Sequence, residues 1–257
     1  MNIVVLVKQV PDTWAERKLD ATSKTLDRAS VDVVMNEIDE YAVEEALKIK
    51  EAEGGEVTIL TVGPQRAVET IRKALSMGAD KAVHLTDEAL AGSDAMQTSY
   101  AIAKVLDTLE YDLVIAGSEA TDSRMAIMTA LLAERTGKPQ LSGARKVTVN
   151  GGSVRIERQN EFGYDVVEAA TPAIISVVEK INEPRYPSFK GIMAAKKKPV
   201  ETLSVADLSV GDVGLSAAWS TVTESAPKPP RAAGRRVEDE GDGGVQAAQY
   251  LVSQKLI

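Results

Sequence analysis

The sequence predicts a doubly wound, mostly parallel, Rossmann-like α/β domain with a β-hairpin appendage and an extended C-terminal arm. Three observations predict it. Short, β-branched apolar runs recur without polar alternation, as strands covered on both faces of a parallel sheet require. Helical patterns separate those runs, which is the βαβ alternation of an α/β fold. Past residue 145 strands follow one another with no helix between them, which marks an antiparallel addition.

"NIVVLVK" (2–8) is the first run and belongs at the centre of the sheet; "EVTILTVG" (56–63), "KAVHLT" (81–86) and "DLVIAG" (112–117) repeat it. Helices are expected over Ile38–Ala52, Gln65–Met77, Ala95–Leu109 and roughly Arg124–Thr136. "GP" before Gln65, "MGAD" after Met77, the cap candidates Ser93 and Asp94, and "RTGKP" after the fourth helix supply starts and stops. "RKVTVNGGSVRIERQ" alternates around Asn150-Gly151-Gly152, a strong hairpin turn, and "YDVVEAATPAIISVVEKI" adds further strand. Residues 1–225 thus form the α/β domain with its hairpin. From Ala226 to Gly244 the chain is rich in Pro, Gly and charge, and reads as an arm. After it "VQAAQYLVSQKLI" puts Val245, Ala248, Leu251, Val252 and Leu256 near one helical face. Residues 226–257 are therefore expected to dock on this domain or on a partner.

Composition narrows the function. With 257 residues the chain can bury a full core. A net charge of −8 argues against diffuse nucleic-acid binding. The absence of cysteine removes thiolate catalysis, iron–sulfur ligation and cysteine-based zinc sites, and one histidine, His84, cannot build a multi-histidine metal site. Any redox chemistry must then come from a cofactor. No apolar run reaches the ~18 residues of a membrane span, and the N-terminus lacks a signal-peptide pattern, so a soluble cytoplasmic chain is expected, not embedded in a membrane. Neither G-x-G-x-x-G, G-x-x-x-x-G-K-[ST] nor H-E-x-x-H occurs. His84 reads as structural, and no catalytic or metal-ligating set emerges.

Parallel sheets bind ligands beyond the carboxyl ends of their strands, where strand order reverses. Leu6–Lys8, the turn at Val62 and "GSEATDSRM" (117–125) converge on that edge. In the last, Gly117 permits a tight turn, hydroxyls of Ser118, Thr121 and Ser123 sit at a helix start where an anion is favoured, and Arg124 could add charge. The alternative is that Asp122 or Ser123 simply caps the fourth helix. "NEIDEYAVEEA" can likewise be no more than an acidic first turn suiting the helix dipole. In "NEPRYPSFKGIMAAKKK" (182–198), Pro184 and Pro187 flank Arg185 and Tyr186 and hold the segment extended, with Phe189 near its tip. On these residues alone Phe189 reads first as a satellite core contact; that phenylalanine occurs only twice in the chain points instead to an aromatic docking anchor, the other reading. Lys196–Lys198 fall where a helix C-terminus welcomes cations.

"MNIVVLVKQVPD", "NEIDEYAVEEALKIKE", "VGPQRAVETIRKALSMGADKAVHL", "DLVIAG" and above all "INEPRYPSFKGIMAAKKKPVETLSVADL" resemble, in order and spacing over essentially the full length, the β subunit of electron-transfer flavoprotein, actinobacterial type. The resemblance implies a subunit without catalytic residues of its own. It would pair with an α subunit holding FAD, bind AMP, and dock acyl-CoA dehydrogenase-type donors for electrons bound for an electron-transfer flavoprotein quinone oxidoreductase-type acceptor. It places the AMP pocket at Leu6, Asn36, Glu37, Ile38, Asp39, Val62, Ser118, Glu119, Ala120, Thr121, Asp122, Ser123, Arg124, Met125 and Thr129. It places the partner-recognition loop at Pro184, Arg185, Tyr186, Pro187, Ser188, Phe189, Lys190, Ile192 and Met193, with Phe189 where the family commonly has leucine. "SEATDSRMAIMTA" departs from the family's nucleotide loop, implying rearranged phosphate contacts. Gln159 stands where a glutamate is common, leaving Glu161 as a nearby carboxylate. Two other readings stay open: a bifurcating subunit with a second FAD in this pocket, and a nucleotide-binding sensor with no redox role.

Overall fold

The computed structural model describes residues 1–231, 234 and 236–257; residues 232, 233 and 235, within the expected arm, lie outside the described residues. The chain divides into two compact units, Met1–Thr223 and Glu224–Ile257. In the first, β1 (Asn2–Leu6), β2 (Gln9–Pro11), β3 (Val33–Met35), α1 (Glu37–Glu53), β4 (Glu56–Val62), α2 (Val68–Met77), β5 (Lys81–Leu85), α3 (Ala95–Leu106), β6 (Leu113–Gly117) and α4 (Met128–Thr136) build the wound half. β7 (Gln140–Asn150), β8 (Ser153–Asn160), β9 (Gly163–Ala170), β10 (Ala173–Val177), α5 (Phe189–Ala195) and β11 (Val200–Leu203) complete it.

One sheet runs in the order β11-β5-β4-β1-β6-β10-β7-β8-β9. Strands β11 through β7 in that order are parallel, and β8 and β9 extend the sheet antiparallel. The hairpin thus continues the main sheet, and β10 returns to lie between β6 and β7. Its turn is the two-glycine loop expected from the sequence: Asn150 pairs with Ser153, and Gly151 and Gly152 have φ of 46° and 99°. Positive φ at both central residues matches the twist of the strands it joins.

β1 explains why its run has no polar alternation. Ile3, Val5 and Val7 face a core built with α1 and α2 (Val43, Leu47, Ile71, Leu75), while Val4 and Leu6 face another built with α3 and α4 (Ile102, Leu106, Leu132). Each fully buried Ile or Leu contributes roughly 1.5–3 kcal/mol of transfer free energy. Chain order reverses across β1, with β4 on one side and β6 on the other, so the loops after β1 and β6 open side by side.

Two expectations are corrected here. The fourth helix begins at Met128, not near Arg124, because Arg124 and Ala126 take left-handed φ of 50° and 54° and cannot continue a helix. Its cap position, Ile127, makes no side-chain cap bond, so neither Asp122 nor Ser123 caps it. In the second unit the helix α6 spans Gly243–Ser253, and Leu256, expected on its apolar face, lies past its end. The ribbon of β2 and β3, which carries the chain out to residues 12–32 and back, had no signal in the pattern.

Candidate functional site

The reversal point holds a cleft of about 450 Å³. Leu6, Leu60, Val62, Ile102 and Ala116 give it an apolar floor, Met96, Met125 and Met128 add flexible apolar walls, and Lys8, Arg28, Asp39, Asp94 and Glu119 bring charge. Its size and its few convergent polar groups fit a small-molecule site.

Three loops are fastened together beneath it by Asn36, which is 1% exposed. Its amide donates to Asp39 Oδ1 and to the Glu119 carbonyl, each at 2.9 Å, while its Oδ1 accepts from Thr121 N at 3.0 Å. Asp39 accepts in turn from Lys8 N at 2.8 Å. This close stacking requires glycine at 117, where a Cβ would lie 2.5 Å from Asp39 Oδ1. Above them Asp122, whose side chain has no exposed surface, receives Lys8 Nζ at 2.9 Å and Arg28 Nη2 at 2.5 Å. Burial works against its ionised form, but the two cations outweigh burial and hold its carboxyl below the usual range. Arg17 donates to the Thr121 carbonyl at 2.7 Å and Arg66 to the Arg28 carbonyl, which pins the 12–32 loop against the site.

The opposite wall is the first turn of α3. Asp94 caps it, accepting from Gln97 N at 3.0 Å, and its other oxygen accepts from Trp219 N and Ser220 N at 2.8 and 3.2 Å. Ser93 is not the cap; its hydroxyl accepts from Gly214 N at 2.9 Å.

Burial pushes the Asp39 carboxyl up to about 7, against the Asn36, Lys8 and Gly117 N–H donors that favour its ionised form. The folded chain therefore holds this proton more tightly than the unfolded one. Between roughly pH 4 and pH 7 that contribution to stability declines as pH rises, by at most about 1.4 kcal/mol per pH unit, and is level above. Chemical unfolding of wild type and Asp39→Asn across this range should give stabilities that diverge in favour of the variant as pH rises. A difference that does not vary with pH would contradict the assignment.

The segment before α5 projects elsewhere on the unit. Arg185 is clamped onto α1: Nε and Nη2 meet the two Glu44 oxygens at 2.7 and 2.9 Å, and Nη1 meets Glu51 Oε1 at 2.5 Å. These pairs raise its pKa further. Asn182 adds bonds to the Tyr41 carbonyl and Glu45 Oε2 at 3.1 and 3.0 Å. Ser188 caps α5 through Gly191 N at 3.0 Å, and Gly191 lets α5 press onto α2, since a Cβ there would lie 2.5 Å from the Ser76 carbonyl. Beyond this anchorage Tyr186 is 95% and Phe189 82% exposed, with Ile192 and Met193 half exposed beside them.

A model of the electron transfer flavoprotein domain matches residues 23–208. The electron transfer flavoprotein subunit beta of Mycobacterium tuberculosis is 57% identical over 264 residues, spanning 100% of this chain and 99% of that protein. That of Mycobacterium leprae is 56% identical over the same span. The chain is a β subunit of the electron transfer flavoprotein family. It is of actinobacterial type by those identities. The Caffeyl-CoA reductase-Etf complex subunit CarD of Acetobacterium woodii is a more distant relative, 35% identical over 92% of each chain.

In this flavoprotein β subunit the structure sorts the expected residues. Leu6, Asp39, Val62, Glu119, Ala120, Ser123 and Met125 line the cleft. Asn36, Thr121 and Asp122 stand behind it as fasteners, and Thr129 is buried against Gln140. Glu37, Ile38, Ser118 and Arg124 are not among the lining residues, so the cations at the cleft are Lys8 and Arg28 and not Arg124. Arg28, the first turn of α3 and Ser220 are contributions that sequence reasoning missed. Of the expected docking residues, Arg185 is bound within the chain; Lys198, expected as a cation at the C-terminus of its own helix, instead caps α2 through the Leu75 and Ala79 carbonyls at 3.0 and 2.5 Å. Arg72 takes up the end of α5. His84 is buried with Nε2 3.1 Å from the Gly63 carbonyl, and burial lowers its pKa. Gln159 accepts from Lys180 at 3.3 Å. Among the described residues no helix is long and apolar enough to cross a membrane, and no cluster of three or more His, Cys, Asp or Glu could hold a metal ion.

Proposed function

We propose that this β subunit is the non-catalytic half of a heterodimeric electron carrier in the cytoplasm. It holds AMP in the cleft at the reversal point and supports the FAD of an α subunit. It docks acyl-CoA dehydrogenase-type donors, whose electrons pass through that flavin to a quinone oxidoreductase-type acceptor. The observation that carries the reading is Phe189, 82% exposed at the end of a segment clamped to α1. An aromatic held outward on a rigid base, with apolar neighbours, is the form of a docking hot spot. When bound, FAD supplies the electron-accepting chemistry; the work of this chain is to bind and to orient.

The cleft suits a mononucleotide. Its apolar floor and methionine walls match a purine face, and its charged rim matches a phosphorylated sugar. In this reading the cleft-lining residues hold AMP as a structural ligand, residues 184–193 present the docking surface, and residues 226–257 embrace the α subunit.

Mass analysis of the nucleotides released from the purified heterodimer tests this. One FAD and one AMP are expected. Two FAD would replace the reading with a bifurcating subunit, and nucleotide without any flavin-bearing partner would replace it with a sensor.

A further inference from the structure

We propose that Lys8 and Arg28, held by the buried carboxylate of Asp122, form a phosphate-binding pair that makes the cleft select a nucleoside 5′-monophosphate over the free nucleoside. This rests on the reading of the cleft as a nucleotide site. It assigns a role to Arg28, a residue in a loop without regular structure, and to an ion cluster that reading left unexplained.

The argument begins with Asp122. A fully buried carboxylate is costly unless paired, and one good cation suffices to pair it. Here two converge from elements far apart in sequence, at 2.9 and 2.5 Å, leaving one surplus positive charge in the cluster. Both cations keep part of their side chains open, 41% for Lys8 and 39% for Arg28, and both line the cleft. Arg28 directs Nη2 at Asp122, out of five guanidinium N–H donors, and Lys8 likewise retains donors beyond its contact. Arginine presents those donors as a planar fork suited to two phosphate oxygens. Asp122 is thus the positioning anion that fixes the pair, while the loop that bears it turns back sharply, with Ser123 N and Arg124 N both bonded to the Ala120 carbonyl.

Competing anions nearby are mostly occupied. Of the three carboxylates lining the cleft, Asp39 accepts from Lys8 N and Asn36, and Asp94 from Gln97 N, Trp219 N and Ser220 N. Glu119 is the third. Its carboxylate makes no hydrogen bond or ion pair among the described residues, so it is the one lining anion that opposes the two cations at the Asp122 end.

The test is calorimetric titration of nucleotide-depleted heterodimer with AMP and with adenosine. Wild type should prefer AMP, and Arg28→Met should reduce that preference roughly 10- to 100-fold while leaving adenosine affinity nearly unchanged. Lys8→Met, altered on a different element, should do the same, and Arg28→Lys should fall between. In the unaltered complex, excess inorganic phosphate should compete with AMP and leave adenosine binding untouched, a reading that needs no variant to fold. If wild type binds neither compound, the nucleotide reading itself fails. If it binds AMP preferentially and both methionine variants keep the preference, or if phosphate does not compete, the nucleotide reading stands and the phosphate pair is overturned.

Discussion

Phe189→Ala is expected to cut the rate of electron transfer from a reduced acyl-CoA dehydrogenase into the heterodimer by roughly 30-fold or more at subsaturating donor, the scale of a hot spot worth about 2 kcal/mol. Stability to denaturant should change by no more than about 0.5 kcal/mol, because the ring makes little contact with its own chain. The two readouts separate docking from packing. Arg185 and Asn182 fix the base of the segment on α1, and Ser188 caps α5, so removing the ring does not release the loop. A variant that unfolds readily while transferring electrons normally would assign Phe189 to the fold instead. Tyr186, exposed on the same segment, gives a second anchor on which the same comparison can be run.

Asn36→Ala should be among the most damaging single changes near the cleft, costing about 3–5 kcal/mol of stability. Truncation leaves Thr121 N and the Glu119 carbonyl without their partner and removes a donor from Asp39, the Thr121 and Asp39 bonds being buried. The loss should appear in nucleotide-free protein as a lower unfolding midpoint. Nucleotide release with an unchanged midpoint would instead make Asn36 a direct ligand contact, the role that resemblance alone had given it.

That reassignment indicates where sequence was informative. Apolar runs such as "NIVVLVK" and "DLVIAG" identify central parallel strands because burial on both faces leaves no room for polar alternation. The glycine pair at 151 and 152 identifies the hairpin because only positive φ at both positions satisfies its twist. Leu6, Val62 and Ser123 could be placed at the cleft because strand ends of a parallel sheet share one edge. By the same logic the turn after β5 opens on that edge too, so the first turn of α3 was legible in principle. Arg28 was not, since residues 12–32 have no period and the residue is brought in by partners distant in sequence, the Asp122 carboxylate and Arg66. Arg124 misled because Arg and Met favour helix, while Arg124 and Ala126 in fact take left-handed backbone that no propensity anticipates.

Helix α1 serves both regions. Its first turn, through Asp39, floors the cleft, and Glu44, five residues and roughly 7.5 Å farther along the axis, grips Arg185. The proposed docking segment is consequently not a portable cassette. Grafting residues 182–198 onto another scaffold would transplant the tip without its foundation, and any exchange of specificity between relatives must carry the matching glutamates of α1 along with the aromatic they aim.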